Sequence, residues 1–497
     1  MAKINSDLNK RRAGVLLHIT SLPGKDQQGD LGEEAFRFVD FLHRAHITVW
    51  QTLPLGMPHG DGSPYQCLSA NAGNPSLISV DSLLKKGWLS ADDYQEREGS
   101  IGDGVTSKRS LLGKAFINFL KIANNTDRHA FTVFCEEQHK WLEDFSLFLV
   151  LKKEFNQQGW VEWPEAFKQR DSQTIREARR RLVHEIDFYK FEQFVFFQQW
   201  QVLKLYAHQN GVLLLGDIPI FVAYDSADVW AARKNFKLND LGEMTVVAGV
   251  PPDYFSATGQ RWGNPHYDWE YLQSTGFKWW VERMRVQQQL FDIVRIDHFR
   301  GLEAAWEIPA DEDTAINGSW VEAPGKALLE AVYAYTDQLK LIAEDLGIIT
   351  KSVEELRDYF HLPGMKILQF AFDGSADNPY LPYHYIENCV AYTGTHDNNT
   401  TLGWFNELND DEKHRVYEFL GFTSLSMPSA LVREALASIA NLAIIPMQDI
   451  LELGSEHRMN TPGTITGNWQ WRFDWNQLSD DKITHFAHWV ELYGRAD

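Results

Sequence analysis

The stretch FDIVRIDHFRG, residues 291–301, opens as a core segment and ends as a charged one. Phe291, Ile293, Val294 and Ile296 make a short apolar run of the kind parallel strands show when both faces are covered. Arg295, Asp297, His298 and Arg300 crowd its end. Ionisable side chains gather there when the strand leaves the core and delivers them to a site.

Working outward, the same kind of run recurs: GVLLHITSL (14–22), ITVWQTLPL (47–55), GVLLLGDIPIF (211–221), DIVRIDHF (292–299), LKLIAEDLG (339–347), GMKILQFAF (364–372), NCVAYTGTHD (388–397) and LAIIPMQDI (442–450). Each is short and apolar, most are rich in β-branched residues, and stretches long enough for a helix separate them, such as GEEAFRFVDFLHRA and DFYKFEQFVFFQQWQVLKLYAHQNG. Eight such runs predict an α/β fold of the (β/α)8 barrel type. A doubly wound open sheet would want a glycine-rich first turn. The turn here, SLPGKDQQGDLG, has no G-x-G-x-x-G, and no P-loop lysine pattern occurs anywhere. About 155 residues lie between the second and third runs, far more than one crossover needs. Their charged, helical period over 82–190 predicts a helical insertion beside the barrel mouth. Residues 246–290 read as an active-site loop and helix region, and the whole of 1–497 as one elaborated barrel.

Composition narrows the ligand. The net charge of -21 repels nucleic acid and anionic membranes, which both need a basic face. Cys67, Cys135 and Cys389 are odd in number, far apart and in no metal-ligand spacing, which points to buried thiols in a reducing compartment. The N-terminal residues show no secretory or transit pattern, and no run approaches the roughly 18 apolar residues of a membrane span. A cytoplasmic protein is expected. Eighteen tryptophans are the odd feature; most are expected in the core, the rest as flat platforms for a sugar ring.

The runs end in Asp217, Asp297, Glu344 with Asp345, His396 with Asp397, and Asp449. One aspartate at a strand end commonly caps the next helix. Five acidic positions on one rim repel one another and raise at least one pKa, and an acid kept protonated beside an ionised base is the arrangement that cleaves a glycosidic bond. Arg295, two residues before Asp297, points to the same side of the strand, where a guanidinium keeps the aspartate ionised and orients it. A metal reading of His298 and His396 is weaker, since no H-x-H or H-E-x-x-H occurs, and His485 with His488 reads as a surface pair. Strand parity does not choose between Glu344 and Asp345.

Longer motifs surround these residues in order along nearly the whole chain: GVLLHITSLPG, GDGSPYQCLSANAGNP, GDIPIFVAYDSADVW, GVPPDYFSATGQRWGNP, RIDHFRG, IAEDLG, GTHDNNTTLGW and MQDILELGSEHRMNTPGT. In them the sequence resembles the 4-α-glucanotransferase family, the amylomaltases or disproportionating enzymes, a branch of the α-amylase superfamily. The resemblance implies a barrel without the C-terminal β-sandwich of typical amylases. It implies Asp297 as nucleophile, Glu344 as acid/base and Asp397 as a third carboxylate holding sugar hydroxyls. Arg295, His298 and His396 would line the subsite around the cleaved bond, with Asp217 and Tyr65 close by. Tyr254 and Phe255 fall in the family's loop over the cleft, and Ser63, Gln260, Trp262, Asn264 and Asn468 match its glucan contacts. The activity implied is retaining transfer of α-1,4-glucan segments to the 4-hydroxyl of an acceptor, with the two catalytic carboxyls roughly 5 to 5.5 Å apart. No metal or cofactor is expected. The expected partners are α-1,4-glucans and maltooligosaccharides, for a monomer or homodimer. An α-glucan hydrolase and a non-catalytic glucan-binding protein are the alternatives.

Overall fold

The computed structural model describes residues 8–24, 28–98, 104–252, 256–336 and 339–496. In chain order its strands are Arg12–Leu16 (β1), Val49–Gln51 (β2), Leu213–Pro219 (β3), Val246–Val250 (β4), Gln260–Pro265 (β5), Ile293–Asp297 (β6), Ala304–Pro309 (β7), Ser319–Glu322 (β8), Lys340–Ala343 (β9), Gly364–Ile367 (β10), Cys389–Tyr392 (β11) and Leu442–Pro446 (β12). Eight of them form one parallel sheet in the order β10-β11-β12-β1-β2-β3-β6-β9. The Ala343 N–H donates to the Pro363 carbonyl at 3.0 Å, lacing β9 to the start of β10 and closing the ring. Seven of the eight predicted core runs contain one of these strands and the first, 14–22, overlaps β1, which starts two residues earlier; each strand is shorter than its run because the last residues have already turned out of the ladder. Burial explains why the apolar runs become strands: β1, β2, β11 and β12 are buried at every position.

Small residues set how closely neighbours approach. A Cβ on Gly216 would lie 2.2 Å from the Phe291 ring, so only glycine lets that ring pack there, one residue before Asp217. The hydrophobic core runs continuously through the barrel and its surrounding helices.

Between β2 and β3 the chain is helical for most of its length, ending in the 27-residue helix Val183–Gln209, which lies against β3 and the helix Glu33–Arg44. Trp88 and Phe119 interlock with Phe191 and Phe194 of that long helix at centroid distances of 4.9 to 6.2 Å. More than half of the tryptophans are buried, in agreement with the core reading.

A second sheet was not expected. Strands β5-β4-β7-β8 pair antiparallel, built from the segments that follow β3 and β6. The stretch 246–290 therefore begins with two strands before its helices Trp269–Ser274 and Lys278–Leu290. β5 and β8 are partly exposed and polar, and QRWGNP contains glycine and proline, so neither has the apolar signature that marks the barrel strands. The thiols also differ from expectation: all three are free, but only Cys389 is buried, while Cys67 and Cys135 are half-buried. His485 and His488 are exposed on the helix Asp480–Leu492. No helix among the described residues is long and apolar enough to cross a membrane.

Candidate active site

Strand register brings the first acids together. In the β3–β6 ladder Asp217 lies opposite Arg295, and in the β6–β9 ladder Ile296 lies opposite Ala343, which sets Asp297 level with Glu344. Arg295 is buried and bridges two carboxylates: Nη1 lies 2.6 and 2.7 Å from the oxygens of Asp217, and Nη2 lies 2.9 Å from Asp297 Oδ1. Its Nε faces Met365 Sδ at 3.3 Å. A guanidinium held on three sides fixes the orientation of Asp297.

His298 then breaks the strand. Its backbone is left-handed, φ 54° and ψ 48°, which swings its N–H onto Glu344 Oε2 at 2.7 Å. The Leu346 N–H holds Oε1 at 3.0 Å, so both oxygens of Glu344 accept backbone hydrogen bonds. Two further bonds continue the ladder beyond the strands, from the Glu344 N–H to the Ile296 carbonyl and from the Phe299 N–H to the Glu344 carbonyl, both 3.1 Å.

Burial pushes the Glu344 carboxyl up to about 8, against the pull of Arg295 and with Asp297 adding to the rise. Burial pushes Asp297 up to about 6, with Arg295 pulling down and Asp217 and Asp397 pushing up. The two carboxyls act on each other and titrate as a pair, with Glu344 the later to ionise. Arg295 was expected to hold Asp297 ionised; it works in that direction, but desolvation outweighs it.

Asp397 arrives from across the mouth, five residues after β11. It is 48% exposed, and His396 Nε2 lies 3.4 Å from its Oδ2. The His396 ring is buried and stacks on Tyr65 at 5.2 Å and 14°. Tyr65 in turn donates its hydroxyl proton to Asp217 Oδ2 at 2.8 Å, so one tyrosine spans the two sides of the mouth.

Other expected positions fall into three groups. Trp262 meets His298 edge-on at 4.8 Å and donates its indole N–H to Gln260 Oε1 at 3.1 Å, which puts β5 over the cleft. The His298 imidazole is pushed by burial down to about 3 and is therefore neutral, and its Nε2 has no hydrogen-bond partner among the described residues. Asn264 is buried and fully occupied, tied to Gln66 at 3.0 Å and to the Val222 carbonyl at 2.9 Å, while the Ser63 hydroxyl accepts from the Tyr65 N–H at 3.3 Å. Asn468 braces its own loop, accepting from the Thr461 N–H at 2.9 Å and donating to the Thr464 carbonyl at 2.9 Å. Tyr254 and Phe255 lie outside the described residues.

Two of the rim acids are not in the cluster. Asp345 accepts from the Met365 N–H at 2.7 Å and pairs with Arg357 at 2.6 Å; it packs so closely on Gly364 that a Cβ there would lie 2.3 Å from its Oδ2. Asp449 is buried and receives the Thr393 and Thr401 hydroxyls at 2.5 and 2.6 Å and the Thr401 N–H at 2.8 Å. Both bind the scaffold together. Trp469, 5.9 Å from Tyr65 and 6.0 Å from His396, is a wall of the site that no strand-end argument could find, because it comes from a loop beyond the last strand. Among the described residues no group of three or more His, Cys, Asp or Glu side chains is arranged to hold a metal ion.

The family profile of 4-α-glucanotransferases matches residues 17–478. The chain belongs to the 4-α-glucanotransferase family. The 4-α-glucanotransferase of Synechocystis sp. is 47% identical over 98% of this chain and 99% of its own length, and that of Thermus thermophilus is 47% identical over 95% and 96%. The structure of the Streptococcus agalactiae amylomaltase in complex with acarbose superposes with a TM-score of 0.94, at 37% identity, covering 98% of this chain and 100% of that one. The chain is thus a glucan-transferring enzyme built on a (β/α)8 barrel, and the carboxyl cluster sits at the end of the barrel where such folds carry their chemistry.

Proposed function

We propose that this glucanotransferase works by double displacement, with Asp297 as nucleophile, Glu344 as acid and base, and Asp397 as the carboxylate that holds the ring hydroxyls. The reading rests on one observation: two carboxyls fixed side by side by strand register, with Glu344 kept protonated to a higher pH than Asp297.

In the first step Glu344 gives its proton to the glycosidic oxygen of an α-1,4-glucan as the bond to the anomeric carbon breaks. Asp297, aimed by Arg295, attacks that carbon from the opposite side and forms a glucosyl ester. Glu344, now ionised, takes the proton of an acceptor's 4-hydroxyl. That oxygen attacks the anomeric carbon, the ester to Asp297 breaks, and Glu344 is protonated again. The backbone N–H groups of His298 and Leu346 stabilise the ionised form of Glu344 between the steps. His396 and Tyr65 would pack beside the ring at the cleaved bond, and the free Nε2 of His298 offers a neutral partner for a hydroxyl. Trp262, Gln260, Ser63 and Asn468 line the route of the chain. Free thiols and an acidic charge suit a cytoplasmic enzyme acting on maltooligosaccharides of starch or glycogen.

Maltotriose alone is the discriminating substrate. Chromatography should show glucose together with maltopentaose and longer chains, and no net gain of reducing ends. A product mixture of glucose and maltose with reducing ends rising in step would replace transfer by hydrolysis.

A further inference from the structure

The three acids are not held alike. Asp297 and Glu344 stand on laddered strands, but Asp397 leaves β11 on a turn and is the most exposed of the three. Its own segment supplies little to its carboxylate: the Asp397 N–H donates to the Thr395 hydroxyl at 3.4 Å, which holds only the backbone, and His396 lies 3.4 Å from Oδ2. The short contacts come from about 60 residues further on. Asn460 Nδ2 donates to Asp397 Oδ1 at 2.6 Å, and Arg458 Nη2 donates to the Asp397 carbonyl at 3.0 Å. Arg458 in turn closes back on its own loop, with Nε on the Asn460 carbonyl at 3.2 Å. One loop therefore grips both the backbone and the side chain of this acid. The same loop is braced by Asn468 and places Trp469 against Tyr65 and His396.

We infer that Asn460 is a positioning residue for the transfer reaction: its amide fixes the rotamer of Asp397, leaving Oδ2 for the sugar, while Arg458 fixes the turn that carries it. A carboxylate this exposed would otherwise sample several rotamers, and only the one held by Asn460 has an oxygen directed by the loop rather than by solvent. The inference rests on the proposed role of Asp397 and adds the group that makes that role possible. Because the hydrogen bonds from Asp397 would tighten as the ring flattens, the loss should fall on turnover more than on ground-state binding.

The test uses the full-length enzyme with Asn460→Ala, Asn460→Asp, Asp397→Asn and the double variant Asn460→Ala/Asp397→Asn, assayed on maltotriose and titrated with acarbose. A lost charge-assisted hydrogen bond corresponds to about a 10- to 100-fold fall in kcat for Asn460→Ala, with KM changed less than about threefold. In the acarbose cycle, Asn460→Ala should add less than about twofold to the loss already caused by Asp397→Asn, since both act through one carboxylate. Asn460→Asp has nearly the same shape and remains testable if the alanine variant does not fold. It sets two carboxylates at hydrogen-bond distance, which then share a proton, so the acid limb of its pH–rate profile should move to higher pH while that of Asn460→Ala stays in place. Wild-type turnover by Asn460→Ala, or additive losses in the cycle, would overturn the inference alone. Wild-type turnover by Asp397→Asn would instead remove the role of Asp397, and the inference with it.

Discussion

The two sides of the barrel mouth are built on different principles. On the β3–β6–β9 side, Asp217, Arg295, Asp297 and Glu344 are set by strand register and by backbone hydrogen bonds that continue the ladder past the last paired residue. On the β11 side, Asp397 depends on side chains lent by a distant loop. Groups that form and break bonds need positions good to a fraction of an ångström, and rigid elements supply that better than loops. A group that follows the sugar as it changes shape tolerates, and can use, a softer mounting.

That contrast can be broken or sharpened by substitution. The largest effect is expected for Asp297→Asn and Glu344→Gln, each lowering kcat on maltotriose on the order of 10^4-fold with the far-UV circular dichroism unchanged. Turnover within tenfold of wild type in either variant would shift the chemistry away from the laddered side. Next comes Arg295→Met, which leaves Asp217 as an unpaired buried charge. Breaking such a pair costs about 3 to 5 kcal/mol, seen as a lower denaturant midpoint, and Asp297 loses its orienting partner at the same time. A variant as stable as wild type would mean that the guanidinium is not the keystone of this side.

The pH dependence follows from the direction of the two shifts. With Asp297 as the proposed nucleophile, which must be ionised, activity is expected to fall as pH drops through about 6; with Glu344 as the proposed acid, which must be protonated, it is expected to fall as pH rises through about 8. The kcat/KM profile on maltotriose is therefore expected to be a bell between those limbs. A flat profile from pH 5 to 9 would contradict it. The smallest catalytic effect belongs to Asp345→Asn, which touches the scaffold only. It should cost about 1 to 3 kcal/mol of stability through the Arg357 and Met365 contacts and leave kcat within a few-fold of wild type.

The legibility of the sequence follows the same division. All eight barrel strands could be read, because strands buried on both faces need short apolar runs and little else satisfies that need. The small antiparallel sheet could not: its strands are partly solvated, and one contains Gly263 and Pro265. Among the rim acids, parity along a strand treats Glu344 and Asp345 as equals on opposite faces. What separates them is the register of β6 against β9, which aims the first at Asp297, and the bare glycine at 364, which receives the second. Asp449 looked like a member of the cluster because it follows an apolar run. Its threonine partners, Thr393 and Thr401, lie about 50 residues earlier and carry no signal of the pairing. Asn460 and Trp469 are invisible for the same reason: a loop after the last strand reaches the mouth only once the ring has closed.

The inverted backbone at His298 has a consequence for which side chains evolution could try there. Most L-residues resist that conformation, while glycine and asparagine accept it readily. Drift at this position is therefore funnelled toward replacements that would keep the amide on Glu344 yet discard the imidazole. The carboxyl proposed as proton donor is held by chain geometry, whereas the ring beside it would be kept only for its proposed contact with the sugar.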